Sequence, residues 1–161
     1  MHYRHLDTPI GQLTLIGPEP ALSQILFAQQ SAIWQPTADM RLVPQGFAQA
    51  AAQIQAYFDG AEDHWDCPLA PKVSPFQWRV MQALQTIPAG HTCSYAELAA
   101  ALRPPSAARA VGGACARNPL PLIMPCHRVV GSQGQLTGFA GGTQVKAWLL
   151  EFEQSRSASG S

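Results

Sequence analysis

Apolar and polar residues alternate through the first thirty positions of the chain, in "HYRHLD", "QLTLIG" and "SQILFA". Successive side chains on a strand point to opposite faces, so this period of two predicts three strands, with "TPIG" turning the chain between the first two. Residues 35–45 read as a loop. The period then changes. Phe47, Ala51, Ile54 and Phe58 recur three or four apart, which predicts a helix that Asp59-Gly60 stops. Residues 61–73, with two prolines and three acids, read as a connector.

Helix signals dominate from there on. "SPFQ" at 74–77 has the form of a capping box with proline at the first helical position, and Phe76, Val80, Leu84 and Ile87 mark one buried face as far as Pro88-Ala89-Gly90. "SYAE" at 94–97 is a second capping box and opens a short helix through Leu98 and Leu102. Pro104-Pro105 breaks it, Ser106 caps a third helix, "AARAVGGACAR", and Asn118-Pro119 closes that one. Two short helices joined by a tight turn resemble a helix-turn-helix, although such pairs also occur without nucleic acid. The last helix, over 143–153, buries Val145, Trp148, Leu149 and Phe152, with Glu153 on the edge of the stripe. A carboxylate there needs a partner inside the fold, and a histidine would serve.

The fold class that follows is α+β. Residues 1–72 form a lobe with an antiparallel sheet and a helix. Residues 73–155 form a mainly helical lobe, and 156–161, within the low-complexity run "SRSASGS", form a flexible tail.

Composition changes this picture once the chain is divided. With 161 residues, 47% hydrophobic and 12% charged, the protein is globular rather than disordered. No apolar run reaches membrane length and no signal-peptide order opens the chain, so a cytoplasmic protein with no membrane partner is expected. The net charge of zero hides an asymmetry. Residues 1–72 carry three basic against seven acidic side chains, net −4, and residues 73–161 carry seven against three, net +4. Arginine supplies most of the positive charge, and it suits phosphates and stacked bases. The four cysteines, Cys67, Cys93, Cys115 and Cys126, form no CxxC pair and fit no zinc framework. They read as free thiols, with no metal and no cofactor expected.

The third helix is poor in side chains. It offers Ala107, Ala108, Ala110, Gly112, Gly113 and Ala114, with Arg109 the main long side chain of its first turns. Two interior glycines cost roughly 1 kcal/mol each relative to alanine, so a close backbone approach should offset them. An ordinary helix is ~10–12 Å across and the DNA minor groove about 6 Å wide. A helix reduced to Ala and Gly suits a widened minor groove, or else tight packing on a neighbouring element. Either way it is not built to read base edges in the major groove.

The chemistry centres on "PCHRVVG" at 125–131. Thiols react as thiolates, and an unperturbed cysteine is only a few per cent ionised at neutral pH. His127 and Arg128 are adjacent to Cys126, but neighbours in an extended segment point apart, so a Cys–water–His–Glu chain ending on Glu153 is the more workable relay.

That motif, preceded by "ARAVGGACARNPLPLIM" and followed by "GQLTGFAGGTQVKAWLLEFE", resembles the O6-alkylguanine-DNA alkyltransferases of the bacterial Ogt type. The resemblance runs over about 74–153, and the N-terminal half matches only in broad plan, opening with "TPIGQLTL". It implies a winged helix-turn-helix in the second lobe and single-turnover DNA repair. Cys126 would take the alkyl group from O6 of a flipped guanine and keep it. His127 would be the base, oriented by Glu153, and Tyr95 would donate to the guanine ring nitrogen. Arg109 would fill the vacated stack, while Ser94, Ala108, Gly112, Gly113, Arg128 and Ser132 would contact DNA. Asn118 would hold the turn before the cysteine loop, and Pro121, Val129, Phe139 and Ala140 would line the base pocket. Many members carry Tyr-Ser where this chain has Phe139-Ala140, so a hydroxyl contact is lost while an aromatic wall remains. The implied partner is double-stranded DNA, bound through the minor groove without sequence preference by a monomer. O4-alkylthymine as a second substrate and clustering of copies along DNA are left open. Two readings from the residues alone compete with this one: a Cys–His hydrolase, and a non-enzymatic helix-turn-helix DNA-binding protein.

Overall fold

The computed structural model describes residues 1–61, 64–102, 108–136, 139 and 141–159, with Ala108 and residues 157–159 described by their backbone alone. Contacts divide the chain into two units, Met1–Lys72 and Val73–Ser161.

In the first unit β1 (His2–Thr8) and β2 (Gly11–Gly17) form an antiparallel hairpin in which Thr8 faces Gly11. Gly11 takes a φ of +103°, and a Cβ there would come within 2.7 Å of Ala28 Cβ, so the turn needs glycine. β3 (Gln24–Leu26) pairs antiparallel with β2, as the alternating pattern predicts. Two elements follow that no period announces. α1 (Ala28–Ile33) has six residues, and β4 (Arg41–Leu42), inside the expected loop, has two that pair parallel with β1. The sheet order is β3-β2-β1-β4. α2 (Ala48–Phe58) buries Ala51 and Ile54 as expected, but Tyr57 rather than Phe58 faces the core.

The second unit carries α3 (Pro75–Leu84), β5 (Cys93–Ser94), α4 (Tyr95–Ala101), α5 (Ala108–Ala116), a 3-10 turn at Cys126–Arg128, β6 (Val129–Val130) and α6 (Thr143–Ser159). The expected break at Pro104-Pro105 and the Ser106 cap lie outside the described residues. Ser74 caps α3 by accepting from the Gln77 N–H at 3.1 Å. The Gln77 side chain does not return to the cap. It faces inward, and its Nε2 donates to the Ala114 carbonyl at 2.8 Å, tying α3 to α5. The second capping box closes in both directions, with Ser94 and Glu97 exchanging bonds of 3.0 Å. β5 pairs parallel with β6, Cys93 opposite Val129 and Ser94 opposite Val130. That short ladder fixes the start of α4, where Tyr95 stands, against the residues that follow Arg128.

α6 corrects the sequence reading twice. It continues to Ser159, so 156–159 extend the helix instead of forming a tail; no glycine or proline interrupts the chain between Thr143 and Ser159. Its buried face is also turned by one residue, about 100°. Lys146, Leu149 and Glu153 are buried, while Trp148 is 37% exposed and stacks on half-buried Phe152 at 5.1 Å. No helix among the described residues is long and apolar enough to cross a membrane.

Removing the α3 cap tests the local account. Ser74→Ala should lower stability by about 1 kcal/mol, read as a lower urea midpoint with an unchanged slope. An unshifted midpoint would mean the Ser74 bond adds nothing.

Candidate active site

The segment between α5 and β6 is held from inside. Residues 120–130 are all buried. Leu122 has a φ of +75°, a region that disfavours branched side chains and typically costs ~1–3 kcal/mol. Such a conformation persists only where its surroundings impose it, and here Asn118 does so. Its Oδ1 accepts from the Leu120 N–H at 3.0 Å, and its Nδ2 donates to the Met124 carbonyl at 2.7 Å. The same carbonyl accepts from the Cys126 N–H at 2.7 Å. The loop is therefore clamped across its strained centre, and its last bond fixes the backbone of Cys126.

The Cys126–Arg128 turn is where the expected geometry changes. An extended segment would send His127 and Arg128 to opposite sides. A 3-10 turn, with three residues per turn, rotates successive side chains by about 120°, and both reach the same carboxylate. His127 Nε2 lies 2.7 Å from Glu153 Oε2. Arg128 donates from Nε to Glu153 Oε1 at 2.9 Å, from its second terminal nitrogen to Oε2 at 2.8 Å, and from the first to the Ile87 carbonyl at 2.7 Å. His127, Arg128 and Glu153 are 0%, 2% and 0% exposed. Arg128 is thus not a DNA contact: its guanidinium is turned inward onto Glu153 and Ile87. Burial opposes the Glu153 charge, but hydrogen bonds from His127 and Arg128, reinforced by the Arg128 charge, hold its carboxyl well below the usual carboxylate range.

An ionised Glu153 requires His127 Nε2 to donate. The other ring nitrogen, Nδ1, is buried with no hydrogen-bond partner among the described residues, so neither ring nitrogen is bonded to the neighbouring sulfur. A neutral imidazole in this setting keeps its free lone pair on Nδ1.

Cys126 is 6% exposed, and burial pushes its thiol up, against a hydrogen bond from Asn118 and the charge of Lys146. The resting thiol is therefore protonated at neutral pH, and any nucleophilic role needs a base on the reaction path. Burial raises the other three thiols as well, Cys115 to about 12. Ease of ionisation does not single out Cys126; its neighbours do.

Lys146 is the residue the sequence reading missed. It is 1% exposed, with Nζ 5.8 Å from the ring centre of Tyr95 and 6.0 Å from that of Phe139. Burial lowers its pKa, against the Cys126 and Cys115 thiols, which raise it. The available signal was the spacing 146, 149, 153, one face of α6, but it is hidden by the more hydrophobic stripe beside it.

The remaining candidates divide by exposure. Tyr95 is half-buried beside α5, with its Cδ1 4.0 Å from where a Cβ on Gly112 would stand. Pro121 and Val129 are buried in the cysteine loop and in β6. Arg109 is exposed on α5, Gly112 and Gly113 are half-exposed, and Ser132 is exposed beyond β6. Ser94 uses its hydroxyl oxygen as the cap of α4. Ala108 is placed by its backbone in α5, and Ala140 lies outside the described residues.

A thiol backed by a histidine–carboxylate pair occurs in several enzyme classes, so comparison with known proteins is informative. Residues 75–155 match the family model described as 6-O-methylguanine DNA methyltransferase, DNA binding domain, and residues 1–71 match its ribonuclease-like domain. The chain belongs to the 6-O-methylguanine DNA methyltransferase family. It is 44% identical over 161 residues to a methylated-DNA–protein-cysteine methyltransferase of Mycobacterium bovis, covering 97% of this chain and 94% of that one. It is 40% identical over 158 residues to the constitutive enzyme of that name from Bacillus subtilis, covering 95% of each. The crystal structure of Mycobacterium tuberculosis OGT in complex with DNA superposes with a TM-score of 0.87 at 43% identity, covering 97% of this chain and 94% of that one.

Within this family member, the Glu153 cluster makes a pH-dependent contribution to stability. A carboxyl depressed below its ordinary 4.5 stabilises the fold above that value, and the contribution is lost as pH falls through the acid range. Glu153→Gln leaves the Arg128 cation buried without its counter-charge, so it should cost about 3–5 kcal/mol at neutral pH. The gap between variant and wild type should narrow towards about pH 3. Urea midpoints at the two pH values measure it, and a gap that is constant with pH would contradict the assignment.

Proposed function

We propose that this protein is a single-turnover DNA-repair enzyme that moves the alkyl group from O6 of guanine in duplex DNA onto Cys126. The observation that carries this reading is a buried, protonated thiol adjoining a His127–Glu153 pair in which His127 Nδ1 has no partner among the described residues. In the proposed step the Cys126 proton passes, through a water, to Nδ1 of His127, and Glu153 stabilises the imidazolium that forms. The sulfur attacks the alkyl carbon in line, the S–C bond forms, and the C–O6 bond breaks with its electrons on the guanine oxygen. Tyr95 donates to the guanine ring nitrogen and so disperses that charge. The S–C bond of the resulting thioether breaks only by expelling a thiolate and no step of the reaction drives that, so the protein is consumed. The relatives' shared name, methylated-DNA–protein-cysteine methyltransferase, supports this chemistry. The same displacement is open to O4-alkylthymine.

The DNA-binding part of the proposal rests on α5. Two causes could account for its glycines, close packing inside the protein or close approach from outside. The inside offers little reason for them. Among the described residues, a Cβ on Gly112 would meet nothing nearer than Tyr95 Cδ1 at 4.0 Å, and one on Gly113 would meet the flexible Arg117 guanidinium at 3.0 Å. The approach from outside remains, and the width of a minor groove supplies it. The target base would leave the stack to reach the buried sulfur, and exposed Arg109 on the same helix would fill the gap with a planar cation. Net charge of +4 over 73–161 favours the phosphate backbone without selecting a sequence. Every group invoked comes from one chain, so a monomer suffices.

Two experiments test the proposal. After incubation with an oligonucleotide carrying O6-methylguanine, mass spectrometry should find one added methyl on the Cys126 peptide and none in Cys126→Ala; an unchanged wild-type mass, or more than one equivalent of product per protein, would defeat it. Gly112→Ala should fold at least as stably as wild type, by up to about 1 kcal/mol, yet bind duplex DNA about tenfold more weakly. Undiminished DNA affinity would remove α5 from the interface.

A further inference from the structure

We propose that Arg128 is the positioning residue of the thiol-activating chain: it fixes the Glu153 carboxylate and balances its charge, so that His127 rests as a neutral imidazole with its proton on Nε2 and Nδ1 open to the Cys126 proton. This rests on the alkyl-transfer reading of the same site and names the group on which the base depends.

Glu153 is fully buried on α6, and its Oε2 accepts from both His127 and Arg128. A buried carboxylate needs one compensating cation. If Arg128 did not supply it, His127, 2.7 Å away, would be the nearest group able to, by taking up a proton. An imidazolium has no lone pair to offer the thiol, so the relay would be blocked before it began. With Arg128 in place, the carboxylate already has its counter-charge, and a second proton on the cluster would add an unbalanced cation. The other charged or titratable groups near His127 do not alter this. Lys146, on the same helix as Glu153, is neutral or positive and never negative, so it brings no charge that would favour imidazolium. Cys126 and Cys115 are thiols held protonated by burial. Beyond the end of α3, Arg128 also donates to the uncharged Ile87 carbonyl.

Geometry explains why the cation is an arginine. Two of its nitrogens engage the two carboxylate oxygens side by side, at 2.9 and 2.8 Å, and a third engages the Ile87 carbonyl at 2.7 Å. The planar fork thereby sets the carboxylate's orientation as well as its charge, and Oε2 is left facing His127. A lysine ammonium could replace the charge but not all three directions at once. During the reaction the imidazolium forms only as the sulfur loses its proton, so the cluster's net charge does not change between the two states.

The test separates charge from shape. The ring nitrogens of His127 are followed by 15N NMR in the wild type, Arg128→Met and Arg128→Lys, and the rate of alkyl transfer from O6-benzylguanine is followed across pH. The wild type should show a neutral imidazole protonated at Nε2 at neutral pH. Arg128→Met should show an imidazolium there, with transfer about tenfold slower and recovering as pH rises. Arg128→Lys should keep the neutral ring and the wild-type pH dependence, with transfer about threefold slower at every pH. An imidazolium in the wild type overturns the proposal, as does a folded Arg128→Met with a neutral ring and an unmoved pH profile. Should Arg128→Met not fold, Arg128→Lys with full wild-type rate overturns it. The NMR measurement uses no alkyl donor, so a wild type that shows the neutral ring but never becomes alkylated would sink the parent reading instead.

Discussion

The second unit depends on one buried carboxylate. Glu153 sits at zero exposure among groups that would be costly to bury separately, and it is stable there because His127 and Arg128 meet it from a single turn. That arrangement links three parts of the chain: α6 through Glu153, the cysteine turn through its side chains, and the segment after α3 through the Ile87 carbonyl. Buried ion pairs are weak contributors to stability when compared with apolar replacements, because desolvation offsets most of the Coulomb gain. Their retention is better explained by what they position. Here the positioned object is an imidazole whose unengaged nitrogen lies beside the thiol in the chain.

The state of that thiol follows from the same burial. Desolvation favours the neutral form of Cys126, and neither the Asn118 bond nor the Lys146 charge reverses it. A permanently ionised cysteine would react with any electrophile that reached it. On the alkyl-transfer mechanism proposed above, a protein used once per lesion is better served by a sulfur that stays inert until a substrate excludes solvent and the proton can move. The strained Leu122 backbone and the Asn118 clamp belong to this account. They fix the backbone that carries the sulfur, and the proposed mechanism leaves its activation to His127.

How far the sequence revealed this depends on what kind of signal each residue gives. The hairpin, α2, α3 and the Ser94–Glu97 box were legible because period and capping chemistry are local. α1 and β4 were not, since six and two residues are too short to show a period. The partner of Glu153 was foreseen as a histidine. The second partner was missed because an extended backbone was assumed where a 3-10 turn forms, and that choice sends Arg128 outward rather than inward. The face of α6 was misjudged for a related reason. Hydrophobicity ranks Val145, Trp148 and Phe152 above Lys146 and Glu153, whereas the structure buries the charged stripe because its partners lie inside. Pattern alone cannot see a cation and an anion that are satisfied by residues on other elements. These are the positions where local preference gives way to a functional arrangement.

The same contrast separates the inner and outer faces of the unit. Inside, large polar side chains appear where apolar ones are the norm, and each has a chemical partner that explains it. Outside, on α5, side chains are missing where large ones are the norm, and packing among the described residues does not explain them, since a methyl at Gly112 would there touch only Tyr95, at ordinary contact distance. An unexplained absence of volume on a helix, facing solvent and carrying an exposed arginine, calls for an occupant that fills it from without. Tyr95 joins the two faces: its Cδ1 lies 4.0 Å from where a Cβ on Gly112 would stand, and Lys146 Nζ is 5.8 Å from its ring centre. A duplex pressed against α5 would therefore sit one aromatic ring away from the ammonium whose charge reaches the Cys126 thiol.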